Sequence, residues 1–578
     1  MPEPSAGDVA LMCMGALIDE LARRGVTDVC VSPGSRSTPI VLALARHPGV
    51  RTHVILDERS SSFFALGLAK ATGRPVGVVT TSGTAVANLL PAVVEAAHSG
   101  TPLIVLTADR PPEVRGAGAN QTIDQVGIFG GYPRWDADAG VPEDDPLSEM
   151  SWRALGERAV AEALGSPGGP VHLNLPFREP LTPAASEAFG GAEPGGRAVT
   201  HRRPLPPDEA DVATLAALIG DSERGVIMAG SLDPWIGGDE LGSIEELARV
   251  SGWPLLAEPA SGLRRPPLSL AAGQHLLADG DFADRHAPDV VLQLGAAPTT
   301  RGGQGLIERA VRLVVASPRP ADPTRRAEPN LCVDPSALAR EVVSVIGESG
   351  APRDRGSSTW LAAWRAADAA AEAVVTEVLE HEREPFEGTI ARDVAAALPD
   401  GALLFVGSSM PVRDLDAYMR PRSGVRVIGN RGASGIDGSV STPLGMAASG
   451  APTFALIGDL ALLHDASGLL WASRSSPGVV LVVPNNRGGG IFDHLEVASQ
   501  PEHEWLFFTP HEVDLAALAA AADAQHTRVD PPGDLTEAVQ AAGRTGGVHL
   551  LEVPVDREAG VRIRGEVRAA VRTALTGM

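Results

Sequence analysis

Cysteine and lysine are the scarce residues of this chain. Cys13, Cys30 and Cys332 are its three cysteines, far apart in 578 residues. An odd, scattered set excludes a disulfide framework, lacks the spacing of a metal-binding cluster and fits a reducing compartment. Lys70 is the only lysine, so arginine is partly a compositional habit here and only its position can single one out. No apolar run approaches bilayer length. The first apolar residues are flanked by Asp8, Asp19 and Glu20 rather than preceded by a basic stretch. Neither membrane insertion nor a secretory signal is therefore expected, and the expected location is cytoplasmic. A formal charge of −24, with acids and bases mixed along the chain, argues against nucleic acid or an anionic membrane as partner. Anionic substrates would need local cationic pockets.

What is present is organised around the stretch from Phe454 to Phe492. A strand-like FALI leads to Gly458-Asp459, and a strand-like VVLVV leads to Asn485-Asn486-Arg487-Gly488-Gly489-Gly490. Short β-branched runs separated by about a helix's length of chain read as one βαβ unit with parallel neighbouring strands. Asp459 and Asn486 then lie just past the C-terminal strand ends, the edge where open α/β sheets bind ligands. A hard cation such as Mg²⁺ takes oxygen ligands and commonly shares them with a phosphate. Asp459 offers one oxygen, the Asn486 amide a second, and a backbone carbonyl in the glycine run a third. The glycines let a diphosphate approach the backbone N–H groups. Read singly, both motifs are ordinary turns; together they point to a metal-diphosphate site. His464 and Asp465 at the linking helix read as bystanders, with Asp465 a solvated first-turn acid.

Elsewhere the pattern is strand, turn, helix, repeated. TDVCV ends at Ser32-Pro33-Gly34-Ser35-Arg36, THVIL at Asp57-Glu58, VGVVT at Ser82-Gly83-Thr84, and LIVLT at Ala108-Asp109-Arg110. A parallel sheet wrapped by helices would bring these turns to one edge. Glu58 is read as ending a buried strand. The segment 181–207 and the segment 347–358 are rich in Pro, Gly and polar residues and read as linkers. The domains expected are thus 1–180, 208–346 and 359–578. The middle one has strands near 226–229, 290–294 and 311–315 but no G-x-G-x-x-G fingerprint, which leaves it a spacer and packing role.

The Asp459/Asn486 spacing resembles the thiamine diphosphate motif, with Leu460 where many relatives have glycine. SPGSRSTP (32–39), DERSSSFFALGLAK (57–70), TSGTAVANLLPAVVEA (81–96), LTADRPPEVRGAGANQTIDQ (106–125), SSMPVRDLD (408–416), NRGASGIDG (430–438) and NNRGGGIF (485–492) narrow it. Together they resemble the menaquinone-pathway 2-succinyl-5-enolpyruvyl-6-hydroxy-3-cyclohexene-1-carboxylate synthase family; the middle domain matches loosely.

The resemblance implies an α/β, three-domain thiamine diphosphate-binding fold, each domain a mainly parallel sheet flanked by helices. It implies decarboxylation of 2-oxoglutarate on thiamine diphosphate and addition of the succinyl carbanion equivalent to isochorismate, with Mg²⁺ or Mn²⁺ as metal. Glu58 would be the acid/base that exchanges a proton with ring N1′ of the cofactor, and Gln121 a second catalytic residue. Thr84, Ser409, Ile436, Asp459, Asn486 and Gly488 would join Glu58 around the cofactor, with Asp459, Asn486 and Gly488 on the metal. Ile436 would hold the cofactor bent. Ser35, Arg36, Arg110, Asn120, Gln121, Arg301, Ser409, Arg413, Arg431 and Phe492 would bind substrate. Both substrates are dicarboxylates, which calls for converging guanidinium groups. Arg36, Arg110, Arg413 and Arg431 are placed on post-strand loops. Members of such families build the site between subunits, so a homodimer or homotetramer is expected. The rival readings are another thiamine diphosphate-dependent 2-oxo acid decarboxylase or carboligase, which needs fewer arginines, and a non-catalytic binding protein, which would have lost Glu58 or the Asp459/Asn486 pair.

Overall fold

Each strand-like run read from the sequence is a strand in the structure, a computed structural model that describes residues 3–184, 200, 204–233, 238–348, 358–475, 478–530 and 534–578. The two expected linkers fall largely outside the described residues. Three sheets are present among the described residues, and every strand pairing in them is parallel.

The first holds β1 (Asp28–Val31), β2 (Arg51–Val54), β3 (Val76–Thr80), β4 (Leu103–Asp109), β5 (Trp135–Asp138) and β6 (Pro170–Pro176) in the order β2-β1-β3-β4-β6-β5. The second holds β7 (Gly225–Ala229), β8 (Leu255–Ala257), β9 (Val290–Leu294), β10 (Arg312–Ala316) and β11 (Ala327–Leu331) in the order β11-β10-β9-β7-β8. The third holds β12 (Ala402–Val406), β13 (Val425–Ile428), β14 (Thr453–Leu456), β15 (Val479–Asn485), β16 (Gln525–Arg528) and β17 (Val548–Pro554) in the order β13-β12-β14-β15-β17-β16. Inner strands such as β3, β4, β9, β12 and β15 are buried along their whole length. Parallel strands covered by helices on both faces read as continuous apolar runs, which is why the sequence betrays them.

The strands without that signal, β5, β11 and β16, are all sheet edges, and β8, also an edge, is buried and apolar but only three residues long. The strand before Glu58 is also an edge. Instead of the buried strand expected there, β2 exposes Arg51, Thr52 and Val54, because its outer side has no neighbouring strand.

The chain forms two compact units. One comprises Met1–Arg203, Asn430–Gly450 and His464–Pro477; the other comprises Pro204–Gly429, Ala451–Leu463 and Gly478–Met578. In the first unit, the helix Glu58–Thr72 is capped by Asp57, whose side chain accepts from Ser60 N–H, and it buries Phe63 and Phe64 to 2% exposure. Each such burial stabilises the unit by roughly 1.5–3 kcal/mol. The helix Ser441–Ala447 lies against it so closely that a Cβ at Gly445 would sit 1.9 Å from the Phe64 carbonyl oxygen. Asp465 is buried, contrary to the solvated position expected for it. Its Oδ2 accepts from the N–H groups of Val440 (2.9 Å) and Ser441 (2.6 Å), and burial raises its pKa. The carboxylate thereby serves backbone donors at the start of Ser441–Ala447.

In the second unit, the C-terminal helix Arg557–Leu575 does not end beside its own sheet's core alone. Ile563, Val567 and Val571 pack into one cluster with Trp364 of the helix Thr359–His381 and with Val226 and Leu313 of the middle region. No helix among the described residues is long and apolar enough to cross a membrane.

Candidate active site

The candidate residues fall into two groups, one in each unit, and most of them follow the C-terminal ends of parallel strands. In the first unit, the turns after β1, β3 and β4 are joined by hydrogen bonds. Arg36 N–H donates to Thr81 Oγ1 at 3.3 Å, and Arg110 Nη1 donates to Ser82 Oγ at 3.2 Å. Ser82 Oγ in turn donates to the Gln121 carbonyl at 3.1 Å, and Gln121 Nε2 donates to the Ser82 carbonyl at 2.9 Å. Arg110 Nη2 reaches the Asn120 carbonyl at 2.9 Å. Ser35, Thr84 and the side chains of Asn120 and Gln121 remain exposed on this patch.

Arg36 is buried and spends its guanidinium on the Phe177 carbonyl and Glu179 Oε1, both at 2.9 Å. Arg110 is pushed below its ordinary pKa by burial and then by the neighbouring Arg36. Glu58 opens its helix and is half-buried, and Asn88 Nδ2 donates to its Oε2 at 3.5 Å. Arg431 and Ile436 lie in the Asn430–Gly450 part of this unit and are half-buried.

In the second unit, β14 and β15 are parallel neighbours, as the βαβ reading requires. Asp459 starts a helix three residues past the end of β14, and Asn486 follows the last residue of β15. One N–H gathers them: Gly488 N lies 3.0 Å from Asp459 Oδ2 and 3.1 Å from Asn486 Oδ1. Glycine is needed at 488, where a Cβ would fall 2.5 Å from the Phe508 ring. Asp459 is buried, which raises its pKa; the Leu460 N–H, His511 and the Gly488 N–H pull it back. The donors are one carboxylate and one amide oxygen. Among the described residues, no group of three or more His, Cys, Asp or Glu side chains could hold a metal by itself. A set this small fits a hard cation that completes its shell with backbone carbonyl and diphosphate oxygens.

Sequence reasoning missed His511. Its Nε2 lies 3.2 Å from Asp459 Oδ2, while its Nδ1 accepts from Val513 N–H at 3.3 Å, so Nε2 carries the proton and donates to the carboxylate. No periodicity or motif marks that residue.

Arg413 is not on a loop. It occupies the first turn of the helix Met410–Tyr418, which starts directly after Ser409 with Pro411 as its second residue, where the missing N–H of proline breaks no intrahelical bond. Arg413 Nη1 donates to the Ser409 carbonyl at 2.6 Å. Arg301 is the first residue of the helix Arg301–Arg309, capped by Thr300. Arg301 and Arg413 line one cavity of about 550 Å³ with Met410, Ile491, Arg564 and Arg568. Burial lowers the Arg413 pKa, Asp414 and Glu258 oppose this, and Arg301 adds to it. Phe492 is half-buried, with its ring 5.7 Å from that of Phe507. Non-glycine residues with positive φ recur on these loops: Gln121 (54°), Ser409 (75°), Ser434 (61°) and Arg487 (60°). Such conformations cost about 1–3 kcal/mol each and persist where surrounding structure enforces them, characteristically near functional sites.

Comparison with known proteins agrees with this geometry. Residues 13–128 match the N-terminal thiamine pyrophosphate-binding domain of thiamine pyrophosphate enzymes, and residues 411–553 match the C-terminal one. The chain is 45% identical to the 2-succinyl-5-enolpyruvyl-6-hydroxy-3-cyclohexene-1-carboxylate synthase of Thermobifida fusca (strain YX), over 97% of this chain and 98% of that protein. It is 44% identical to the protein of the same name from Chloroflexus aurantiacus, over 95% of this chain and 94% of the relative. It is 41% identical to that of Geobacillus kaustophilus, over 96% and 97%. With two thiamine pyrophosphate-binding domains and full-length likeness to these enzymes, the chain belongs to the 2-succinyl-5-enolpyruvyl-6-hydroxy-3-cyclohexene-1-carboxylate synthase family.

Proposed function

We propose that the chain decarboxylates 2-oxoglutarate and adds the resulting four-carbon succinyl unit to isochorismate, as a step of menaquinone biosynthesis. The observation that carries this reading is the pairing of guanidinium groups. Arg301, beyond the end of β9, and Arg413, beyond the end of β12, line one cavity, and Arg110 lies close enough to Arg36 in the other unit to be depressed by it. Like charges gathered in partly buried places are suited to anions, and planar guanidinium forks match carboxylates bidentately.

When bound, thiamine diphosphate supplies the electron sink that lets a 2-oxo acid lose CO₂ and react as an acyl carbanion equivalent. Asp459, Asn486 and the Gly488 carbonyl would hold Mg²⁺ or Mn²⁺, and Glu58 would exchange a proton with ring N1′ of the cofactor. Thr84, Ser409 and Ile436 would contact the cofactor. Ser35, Arg36, Arg110, Asn120, Gln121, Arg301, Arg413, Arg431 and Phe492 would contact substrate, with Gln121 in a catalytic role. The division into domains 1–180, 208–346 and 359–578 is supported by the one sheet that falls in each. Assembly as a homodimer or homotetramer, with the site between subunits, is supported by exposed apolar side chains beside Glu58: Val54 is 51% and Leu56 58% exposed. A cytoplasmic location agrees with the cysteine usage.

Arg413→Lys tests the dicarboxylate reading. Lysine keeps the charge but not the fork, so kcat/KM should fall about 10- to 100-fold, the equivalent of roughly 1.5–3 kcal/mol for a charge-assisted hydrogen bond, with thiamine diphosphate affinity unchanged. Unchanged kinetics in both Arg413→Lys and Arg431→Lys, with pyruvate serving as well as 2-oxoglutarate, would favour a different thiamine diphosphate carboligase.

A further inference from the structure

The only lysine in the chain is buried to 2% exposure. Lys70 lies near the end of the helix Glu58–Thr72, and its Nζ donates to Glu95 Oε1 at 2.8 Å and to Asn430 Oδ1 at 3.0 Å. Glu95, on the helix Leu90–Ser99, is equally buried and also accepts from two backbone N–H groups. Gly432 N reaches its Oε1 at 3.0 Å, and Ala433 N its Oε2 at 2.7 Å. Asn430 completes the network by donating from Nδ2 to Thr442 Oγ1 at 2.9 Å. All of these residues belong to the first unit.

The Asn430 side chain on one side and the Gly432 N–H on the other bracket Arg431, and the bonded backbone leads on towards Ile436. Four hydrogen bonds, backed by the Lys70–Glu95 bond behind them, therefore fix the start of the loop that carries both a proposed substrate guanidinium and a proposed cofactor contact. A chain that otherwise uses arginine retains an ammonium at this point. A compact point charge on a flexible stem fits between two acceptors in a closed space where a planar guanidinium fork would need more room.

We propose that Lys70, acting through Glu95, is a positioning residue for the loop Asn430–Ile436, fixing the backbone from which Arg431 meets substrate and Ile436 meets cofactor. The ammonium holds the Glu95 carboxylate and the Asn430 amide in place. Glu95 then holds Gly432 and Ala433. The inference rests on the reading of Arg431 and Ile436 as ligand contacts.

The single lysine supplies its own probe. Protein made with ¹³C,¹⁵N-lysine and no lysine in any tag gives one side-chain signal. In the chain loaded with thiamine diphosphate and Mg²⁺, that signal should move when 2-oxoglutarate or isochorismate is added. Calorimetrically proven binding of both without movement overturns the proposal. In Lys70→Met, amide exchange at Gly432 and Ala433 should accelerate about 10- to 100-fold, the loss expected when a charge-assisted bond no longer restrains local opening. KM should rise more than kcat falls. Wild-type exchange and kinetics in that variant overturn the proposal, as would a loss of melting temperature alone. Because an unpaired buried carboxylate can prevent folding, the double variant Lys70→Met/Glu95→Gln removes both charges and should show the same faster exchange. Where neither substrate binds the wild-type chain, the dicarboxylate reading fails, and amide exchange in these variants decides the positioning role by itself.

Discussion

Asp459→Ala is expected to abolish Mg²⁺-dependent binding of thiamine diphosphate while the far-UV circular dichroism of the chain is retained. The carboxylate is buried, its Oδ2 shares the Gly488 N–H with Asn486 Oδ1, and it is the only acid in that set. Its removal leaves an amide and carbonyl oxygens, which do not neutralise a divalent cation next to a diphosphate. The expected loss in affinity exceeds about 100-fold, the upper range for removing a partner that merely orients a ligand. The fold should survive because β14 and β15 are held by buried apolar side chains on each side of the site. Calorimetry checks this directly, and wild-type affinity in the variant would remove Asp459 from the metal.

Glu58→Gln should act on turnover and spare binding. Gln has the same shape and can still meet Asn88, but it has no exchangeable carboxyl proton, so kcat should fall by about 10²- to 10⁴-fold, the usual contribution of a positioned acid or base. Thiamine diphosphate affinity should change far less, since Glu58 and the Asp459/Asn486 pair belong to different units. The measurement is a turnover assay at saturating cofactor with a parallel binding titration. Near-normal turnover would assign the proton transfer to another group.

The contrast between these residues and those the sequence did not reveal has a physical basis. Asp459, Asn486 and Arg110 follow strands buried on both faces, and such strands announce themselves as apolar runs with polar ends. Arg413 was legible as a residue but not as part of a helix, because the helix after β12 opens on Ser409 at positive φ, a conformation that no sequence rule predicts for serine. Asp465 looked solvated because it sits among helical residues; it is in fact the acceptor for backbone donors of Val440 and Ser441, a tertiary contact. His511 meets Asp459 from 52 positions away through an irregular segment without period or motif. Lys70 was conspicuous by composition alone. Its partners stand 25 and 360 positions away, and only the fold brings them to it.

The most direct test of the account is product formation. The chain is incubated with thiamine diphosphate, Mg²⁺, 2-oxoglutarate and isochorismate, and the mixture is followed by mass spectrometry and CO₂ release. The account predicts one CO₂ per 2-oxoglutarate consumed and a product with the mass of isochorismate plus the four-carbon succinyl unit, formed only when all four components are present. CO₂ release with no adduct, or an adduct formed equally well from pyruvate, would contradict it.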